Sequence, residues 1–411
     1  MPPQRRPFEV AITGLGLVTP AGIGIGPNWD RVSSGISCAS RDDRLLGCPV
    51  DFSCRVPDFD PDTLIGGFAS RQLARFVQLA IVAARQAAGD AGWNPRTWDG
   101  ARVGVVLGNS LGGVQAFEAS QLAMAEGGPR KVSPLMVPMY LANMVAGQVA
   151  IDLGARGPSQ VTATACASGA TAVGIARELL RRGDCDVVVA GGAEAALTPL
   201  AVTGLARMGA LSGRTENPEL ASRPFDADRD GFVPAEGAGV LVLERLTDAQ
   251  ARGARVRAVV RGYGASTDAH HPTAPAPGGE GIEQALRAAL ADAGLSGSDV
   301  DHVNAHGTST PLGDVIEGRM LRRVLGGRAL VTSTKGVTGH PLAAAGAIEA
   351  AYTALAIEHR SVPPTANLAR LDPELDIDVV HGTPRPAPIE VAVSTSMGFG
   401  GHNAALVLTA A

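Results

Sequence analysis

Cys166 lies in the run Val161-Thr162-Ala163-Thr164-Ala165-Cys166-Ala167-Ser168-Gly169-Ala170. An apolar, strand-like stretch precedes it, small residues crowd it, and an Ala-rich helical pattern follows. That order describes a thiol on a tight turn at the start of a helix, where the helix N-terminus favours the nucleophilic thiolate. The plain rival is an inert buried cysteine, the commoner fate of a lone free Cys, so the reading depends on partners. His306 sits in Asn304-Ala305-His306-Gly307-Thr308-Ser309-Thr310, and His340 in Ser333-Thr334-Lys335-Gly336-Val337-Thr338-Gly339-His340-Pro341. Each His is beside a Gly and beyond an apolar run, and an imidazole there can present an N–H to a developing negative charge. Lys335 is one of two lysines, with Lys131, in a chain whose Lys and Arg total 35.

The elements that must position these groups come in matching pairs. Ala83-Ala84-Arg85-Gln86-Ala87-Ala88-Gly89-Asp90-Ala91-Gly92 and Ala285-Leu286-Arg287-Ala288-Ala289-Leu290-Ala291-Asp292-Ala293-Gly294 both read as Ala-rich helices that end in Asp-Ala-Gly, with Gly as the stop. A strand follows each, Val103 to Leu107 and Val300 to Ala305. Val161 to Thr164 leads to Cys166, as Val331 to Thr334 leads to Lys335. Gly239 to Leu243 and Ala404 to Leu408 close the two sets, which Val10 to Leu17 and Val256 to Gly264 open. Strands alternating with helices predict an α/β architecture of layered sheets. Two halves, 8–250 and 256–411, are expected to pack as one body and to bring their strand ends to a shared cleft. The stretch from Gln115 to Gly157 reads as an irregular helical excursion. Its Met residues (124, 136, 139, 144) suit core filling, a flexible apolar pocket or a subunit contact.

Composition bounds the class. Of 411 residues, 45% are hydrophobic and only 4% aromatic, with 52 Gly, so small residues must do much of the packing. A net charge of −5 without a basic run argues against nucleic-acid or membrane-surface binding. No apolar run is long enough to span a bilayer, and the first residues do not form a signal peptide, so a cytoplasmic protein is the expectation. The cysteines at 38, 48, 54, 166 and 185 are dispersed and lack CxxC spacing, which indicates neither a zinc site nor a disulfide framework.

Taken in order, Thr164-Ala165-Cys166-Ala167-Ser168-Gly169, Arg229-Asp230-Gly231-Phe232 with Glu236-Gly237-Ala238-Gly239, Ala305-His306-Gly307-Thr308-Ser309-Thr310, Lys335 to His340, and Gly398-Phe399-Gly400-Gly401 resemble the β-ketoacyl-acyl-carrier-protein synthases of the thiolase superfamily. The branch resembled includes type II fatty-acid elongation synthases and polyketide ketosynthases, and the motifs cover nearly the whole chain. The resemblance implies a thiolase-like five-layer α-β-α-β-α fold from two duplicated halves. It implies a catalytic triad of Cys166, His306 and His340, with Lys335 in an electrostatic role and Glu349 as its partner. It puts the oxyanion hole at the N–H groups of Cys166 and Phe399. Substrate contacts fall to Thr308 and Thr310 on the phosphopantetheine arm, Leu111 in the acyl pocket, and Phe399 and Gly400 on a mobile gate loop. The implied reaction is a decarboxylating Claisen condensation between an acyl group on Cys166 and malonyl-acyl carrier protein. No cofactor is expected, because an acyl carrier protein delivers both substrates.

Two departures stand out. Met397 occupies a gate position where fatty-acid synthases of this type often carry Phe. The segment Ile65 to Gln72 resembles a carrier-docking region but keeps few cations, namely Arg71, with Arg75 and Arg207 as further candidates. A homodimer is the default, with a heterodimer with a chain-length-factor-like subunit as the alternative. The retained Cys166, His306 and His340 rank a non-decarboxylating acyltransferase or a non-enzymatic partner subunit below the condensing enzyme.

Overall fold

The computed structural model describes residues 8–411. The strands of the first half are β1 (Val10–Thr19), β2 (Val103–Gly108), β3 (Ser159–Thr162), β4 (Val187–Glu194) and β5 (Gly237–Arg245). Those of the second are β6 (Ala258–Thr267), β7 (His302–Asn304), β8 (Leu330–Thr332), β9 (Asp378–Val379), β10 (Val391–Gly398) and β11 (His402–Thr409). Every residue of β1, β2 and β4 is buried, the state of strands covered by helices on both faces.

Strand order runs β9-β8-β7-β10-β11-β6-β1-β5-β4-β2-β3. Outward from the middle, β1-β5-β4-β2-β3 on one side repeats as β6-β11-β10-β7-β8 on the other. The pairing senses repeat too: β2 is parallel to β3 and β4, and β7 to β8 and β10, while β5 and β11 are antiparallel to both neighbours. β1 and β6 pair antiparallel through Val10–Ile12 and join the two sheets. The pair β4 and β10 adds to the strands expected from the sequence, and Val187-Val188-Val189 is a short apolar run of the kind that forms a buried strand.

The principal helices are α1 (Arg75–Asp90), α2 (Val114–Gly127), α3 (Met144–Leu153), α4 (Ser168–Arg182), α5 (Pro199–Arg207), α6 (Glu280–Ala293), α7 (Pro311–Leu325) and α8 (Ala345–His359). α4 and α8 pack on each other, and each touches strands of both halves. α8 is buried on all sides from Ala345 to Ile357, as a helix in a central layer must be. α1 and α3 cover the outer face of one sheet, and α6, with α7 packed beside it, covers that of the other. The layers are therefore α-β-α-β-α.

Glycine makes the outer contacts close. A Cβ at Gly16 would lie 1.8 Å from the carbonyl oxygen of Ala83, and one at Gly264 would lie 2.1 Å from that of Ala285. The Asp of each Asp-Ala-Gly ending then reaches the sheet. Asp90 Oδ2 accepts the Leu15 N–H at 2.9 Å, and Asp292 Oδ2 accepts the Tyr263 N–H at 3.1 Å. The excursion after β2 holds α2, a short helix (Met136–Tyr140) and α3. Met139 and Met144 pack against the core, whereas Met124 is exposed. No helix among the described residues is long and apolar enough to cross a membrane.

Candidate active site

β3 ends at Thr162, so Ala163 and Thr164 belong to the turn and not to the strand. The turn places Ala165 at φ +49°, a left-handed conformation unfavourable for a residue with a Cβ. Ser168 holds it there. Its Oγ accepts the Thr164 N–H at 2.9 Å and donates to the Ala165 carbonyl at 2.6 Å, while Thr162 Oγ1 donates to the Ser168 carbonyl at 2.8 Å. Cys166 follows in a single 3-10 turn (Ala165–Ala167) that leads into α4.

Both histidines come from the second half. His340 Nε2 lies 3.1 Å from Cys166 Sγ. The His306 ring stands edge-on to His340, with centroids 5.3 Å apart. Cys166, His306 and His340 are all buried, and their sulfur and ring nitrogens fall within 4.8 Å of one another. Main-chain anchors set each ring. Glu317 accepts the N–H groups of His306 and Gly307 at 2.8 and 2.7 Å and the Thr395 hydroxyl at 2.6 Å. His340 donates its N–H to the Val233 carbonyl at 2.8 Å, and its ring meets the Phe232 ring edge-on at 5.1 Å. The Arg229-Asp230-Gly231-Phe232 motif thus has a structural account. Arg229 donates to the Thr310 carbonyl at 3.0 Å and to Asp372 at 2.7 Å, Gly231 donates to the Ser309 carbonyl, and Phe232 backs His340.

The electrostatics revise one expectation. Burial pushes the Cys166 thiol up to about 11, against the opposing pull of the Lys335 charge and the Phe399 N–H. The resting group near neutrality is therefore the thiol and not the thiolate that a helix N-terminus alone would favour, because desolvation outweighs the dipole. Burial also holds both imidazoles neutral, well below the ordinary histidine value, and the Lys335 charge adds to this. Lys335 forms a buried ion pair with Glu349. Burial raises the Glu349 carboxyl to about 7 despite that partner.

Cys166, His306 and His340 open onto a cavity of about 700 Å³. Its apolar lining includes Leu111, Leu205, Met208, Phe232, Leu342 and Met397, and its polar lining includes Thr308, Thr310, Asp268 and Asn403. Thr308 and Thr310 hydroxyls lie 3.0 Å apart. A Cβ at Gly398 would stand 3.1 Å from Cys166 N, so the gate segment lies against the nucleophile turn, where the Phe399 N–H opposes the upward shift of the thiol. Gly400 is not part of the lining. It is exposed and donates to the Pro272 carbonyl at 2.7 Å. Arg75 is no docking cation either: it is locked onto buried Glu236 by two bonds of 2.7 and 2.6 Å. Arg71 and Arg207 remain exposed, with Arg71 paired loosely to Asp62 at 3.3 Å. Glu317 had no assigned role in the sequence, and neither did Asp314, which accepts the Ser309 N–H. Their position in the first turns of α7, after a Gly/Thr loop, is the one local signal.

Residues 8–249 match the β-ketoacyl synthase N-terminal domain, and residues 257–369 match the β-ketoacyl synthase C-terminal domain. A 3-oxoacyl-[acyl-carrier-protein] synthase 2 from Staphylococcus aureus is 43% identical over 97% of this chain and 98% of its own. One from Synechocystis is 43% identical over 97% of both chains. Among solved structures, the ishigamide ketosynthase/chain length factor superposes with a TM-score of 0.93 at 34% identity, covering 99% of this chain and 100% of that one. A type II polyketide acyl-carrier protein in complex with its ketosynthase bound to the hexaketide gives 0.92 at 33% identity, with the same coverage.

Proposed function

The chain belongs to the β-ketoacyl synthase family, and we propose that it condenses an acyl group held on Cys166 with malonyl-acyl carrier protein, releasing CO2 and yielding 3-oxoacyl-acyl carrier protein, in fatty-acid or type II polyketide elongation. The observation that carries this reading is the buried Cys166–His340 contact of 3.1 Å beside His306, at an apolar cavity long enough in volume for an acyl chain.

In the first half-reaction Cys166 Sγ attacks the carrier-bound thioester. Its proton has His340 Nε2 in reach and ends on the departing carrier sulfur. The oxyanion formed on the way is held by the N–H groups of Cys166 and Phe399. In the second, the sulfur is acylated, and the neutral imidazoles turn Nε2–H groups to the malonyl thioester oxygen. CO2 leaves, its bonding pair becomes the enolate, and that carbon attacks the acyl group. Cys166 departs as a thiolate and takes up one proton to restore the resting thiol. Lys335, neutralised by Glu349, lowers the cost of the buried thiolate without leaving an unpaired buried charge. Thr308 and Thr310 bind the phosphopantetheine arm, Leu111 and Met397 line the acyl path, and the Gly-rich loop around Phe399 and Gly400 gates it.

The partner is an acyl carrier protein, and the chemistry needs no bound cofactor, in keeping with a cytoplasmic enzyme. The chain pairs with a second copy or with a related subunit. Two features support this: β3 is the outermost strand with Ser159 and Gln160 exposed, and Phe117, Val137 and Tyr140 lie uncovered in the same half. Intact-mass measurement of Cys166 acylation with a panel of acyl carriers tests the reading, because a protein that takes up no acyl group from any carrier, alone or with candidate partner chains, does not perform this reaction.

A further inference from the structure

The loop that carries Leu111 is held by one buried carboxylate that no step above uses. Glu194, the last residue of β4, is fully buried. Its Oε1 accepts Asn109 Nδ2 at 3.1 Å. Its Oε2 accepts the Ser110 N–H at 3.1 Å, the Ser110 hydroxyl at 2.5 Å and the Leu111 N–H at 3.4 Å. Asn109 completes the turn by accepting the Gly112 N–H at 2.8 Å and donating to the Ala193 carbonyl at 2.8 Å. The start of the loop is pressed on the nucleophile helix, where a Cβ at Gly108 would lie 2.5 Å from the Ser168 carbonyl carbon. The Leu111 side chain is itself 42% exposed and packs loosely. Its position therefore comes from its main chain, which Glu194 holds on the Asn109–Leu111 side and which the Gly113 N–H, bonded to the Tyr140 carbonyl at 2.9 Å, anchors beyond it.

We propose that Glu194 is a positioning residue for acyl-chain selection, fixing the Leu111 wall of the cavity at a set distance from Cys166. This rests on the condensing-enzyme reading. A wall held by four hydrogen bonds to one carboxylate moves as a unit when that carboxylate is replaced. A pocket wall that shifts by about a methylene changes discrimination between acyl chains about tenfold or more, whereas chemistry at Cys166 is untouched by it. Glu194→Gln keeps the size but offers one acceptor oxygen in place of two: with that oxygen toward the Ser110 and Leu111 donors its N–H2 faces Asn109 Nδ2, so the four bonds cannot all form and the loop loosens.

The test is a competition between short and long acyl carriers for Cys166, read by intact mass, in the native chain, Glu194→Gln, Leu111→Ala and the double variant. Glu194→Gln is expected to change the long-to-short acylation ratio about threefold or more in the native background and to leave it unchanged once Leu111 is Ala, the coupling expected of residues acting through one another. An equal loss for every acyl chain, or the same ratio change in both backgrounds, overturns the proposal. If Glu194→Gln does not fold, Ser110→Ala removes a single donor and is expected to move the ratio in the same direction by less; an unmoved ratio there also overturns it. Failure of the native chain to accept any acyl group would instead refute the underlying function.

Discussion

At the outer face of the first half, the carbonyls of Ala87 and Ala83 press on Gly14 and Gly16 of β1. At the outer face of the second, those of Ala289 and Ala285 press on Gly262 and Gly264 of β6. Asp90 and Asp292 reach the same main-chain positions from the ends of their helices. The strand ends that meet the cavity are paired just as closely in topology, yet they share no chemistry. β3 leads to Cys166, while β8 leads to Lys335 and His340. β2 leads to Asn109 and Ser110 under Glu194, while β7 leads to His306 and Gly307 over Glu317. Where a helix backbone leaves no room for a side chain, both halves keep the same small residues. Where the chain faces open space, each is free to carry a different group. The duplicated frame thus yields an asymmetric site, with the thiol from one half and the imidazoles and the cation from the other.

The sharpest way to break this contrast is to remove the one group the first half contributes. Cys166→Ala is expected to abolish the acyl-enzyme adduct in intact-mass measurements, and an undiminished adduct would place the nucleophile elsewhere. Cys166→Gln is expected to release CO2 from malonyl carrier without condensing, as the second half's groups acting alone would. His306→Ala is expected to lower condensation about 10²–10³-fold, the usual cost of one oxyanion donor, while acylation of Cys166 persists; equal loss of both half-reactions would give His306 a merely structural part. His340→Ala should slow both, since its Nε2 reaches Sγ.

Lys335→Met tests how the second half tunes the first. The Lys335 charge depresses both histidines and the Cys166 thiol. Burial remains the larger cause for both rings, so without Lys335 the imidazoles rise but stay below the ordinary histidine value, and the buried thiol moves further up. Any acid limb of condensation should then move to higher pH, and acylation should slow at neutral pH. A pH–rate profile of unchanged shape would remove Lys335 from the electrostatics. The last test falls on the frame that the two halves share, where the effect is on stability and not on chemistry. Gly16→Ala and Gly264→Ala are each expected to cost at least the ~1–3 kcal/mol typical of overpacking, because the Cβ meets helix backbone that cannot turn aside as a side chain can. The two should be similar in denaturant midpoint, and a large disparity would mean that the halves do not pack alike.

Much of the fold was legible because its signals are local. Paired strands, Asp-Ala-Gly helix ends and an excess of small residues all act over a few neighbouring positions. Cys166, His306, Lys335 and His340 were legible for the same reason, each sitting in a short distinctive run at a strand end. Glu194 and Glu317 were not, since an acidic residue gives no local sign that it will be buried beneath a loop. Arg75 was misread as a docking cation because its partner, Glu236, lies 161 residues away.

The sequence by itself determined which elements form, that they repeat, and which side chains are able to do chemistry. Only the tertiary structure decided that Cys166 and His340, 174 residues apart, meet at 3.1 Å, and that burial keeps the resting sulfur protonated although it begins a helix. The division has a physical cause. Periodicity and turn chemistry depend on residues adjacent in the chain, whereas desolvation and ion pairing depend on whatever the packed layers bring alongside.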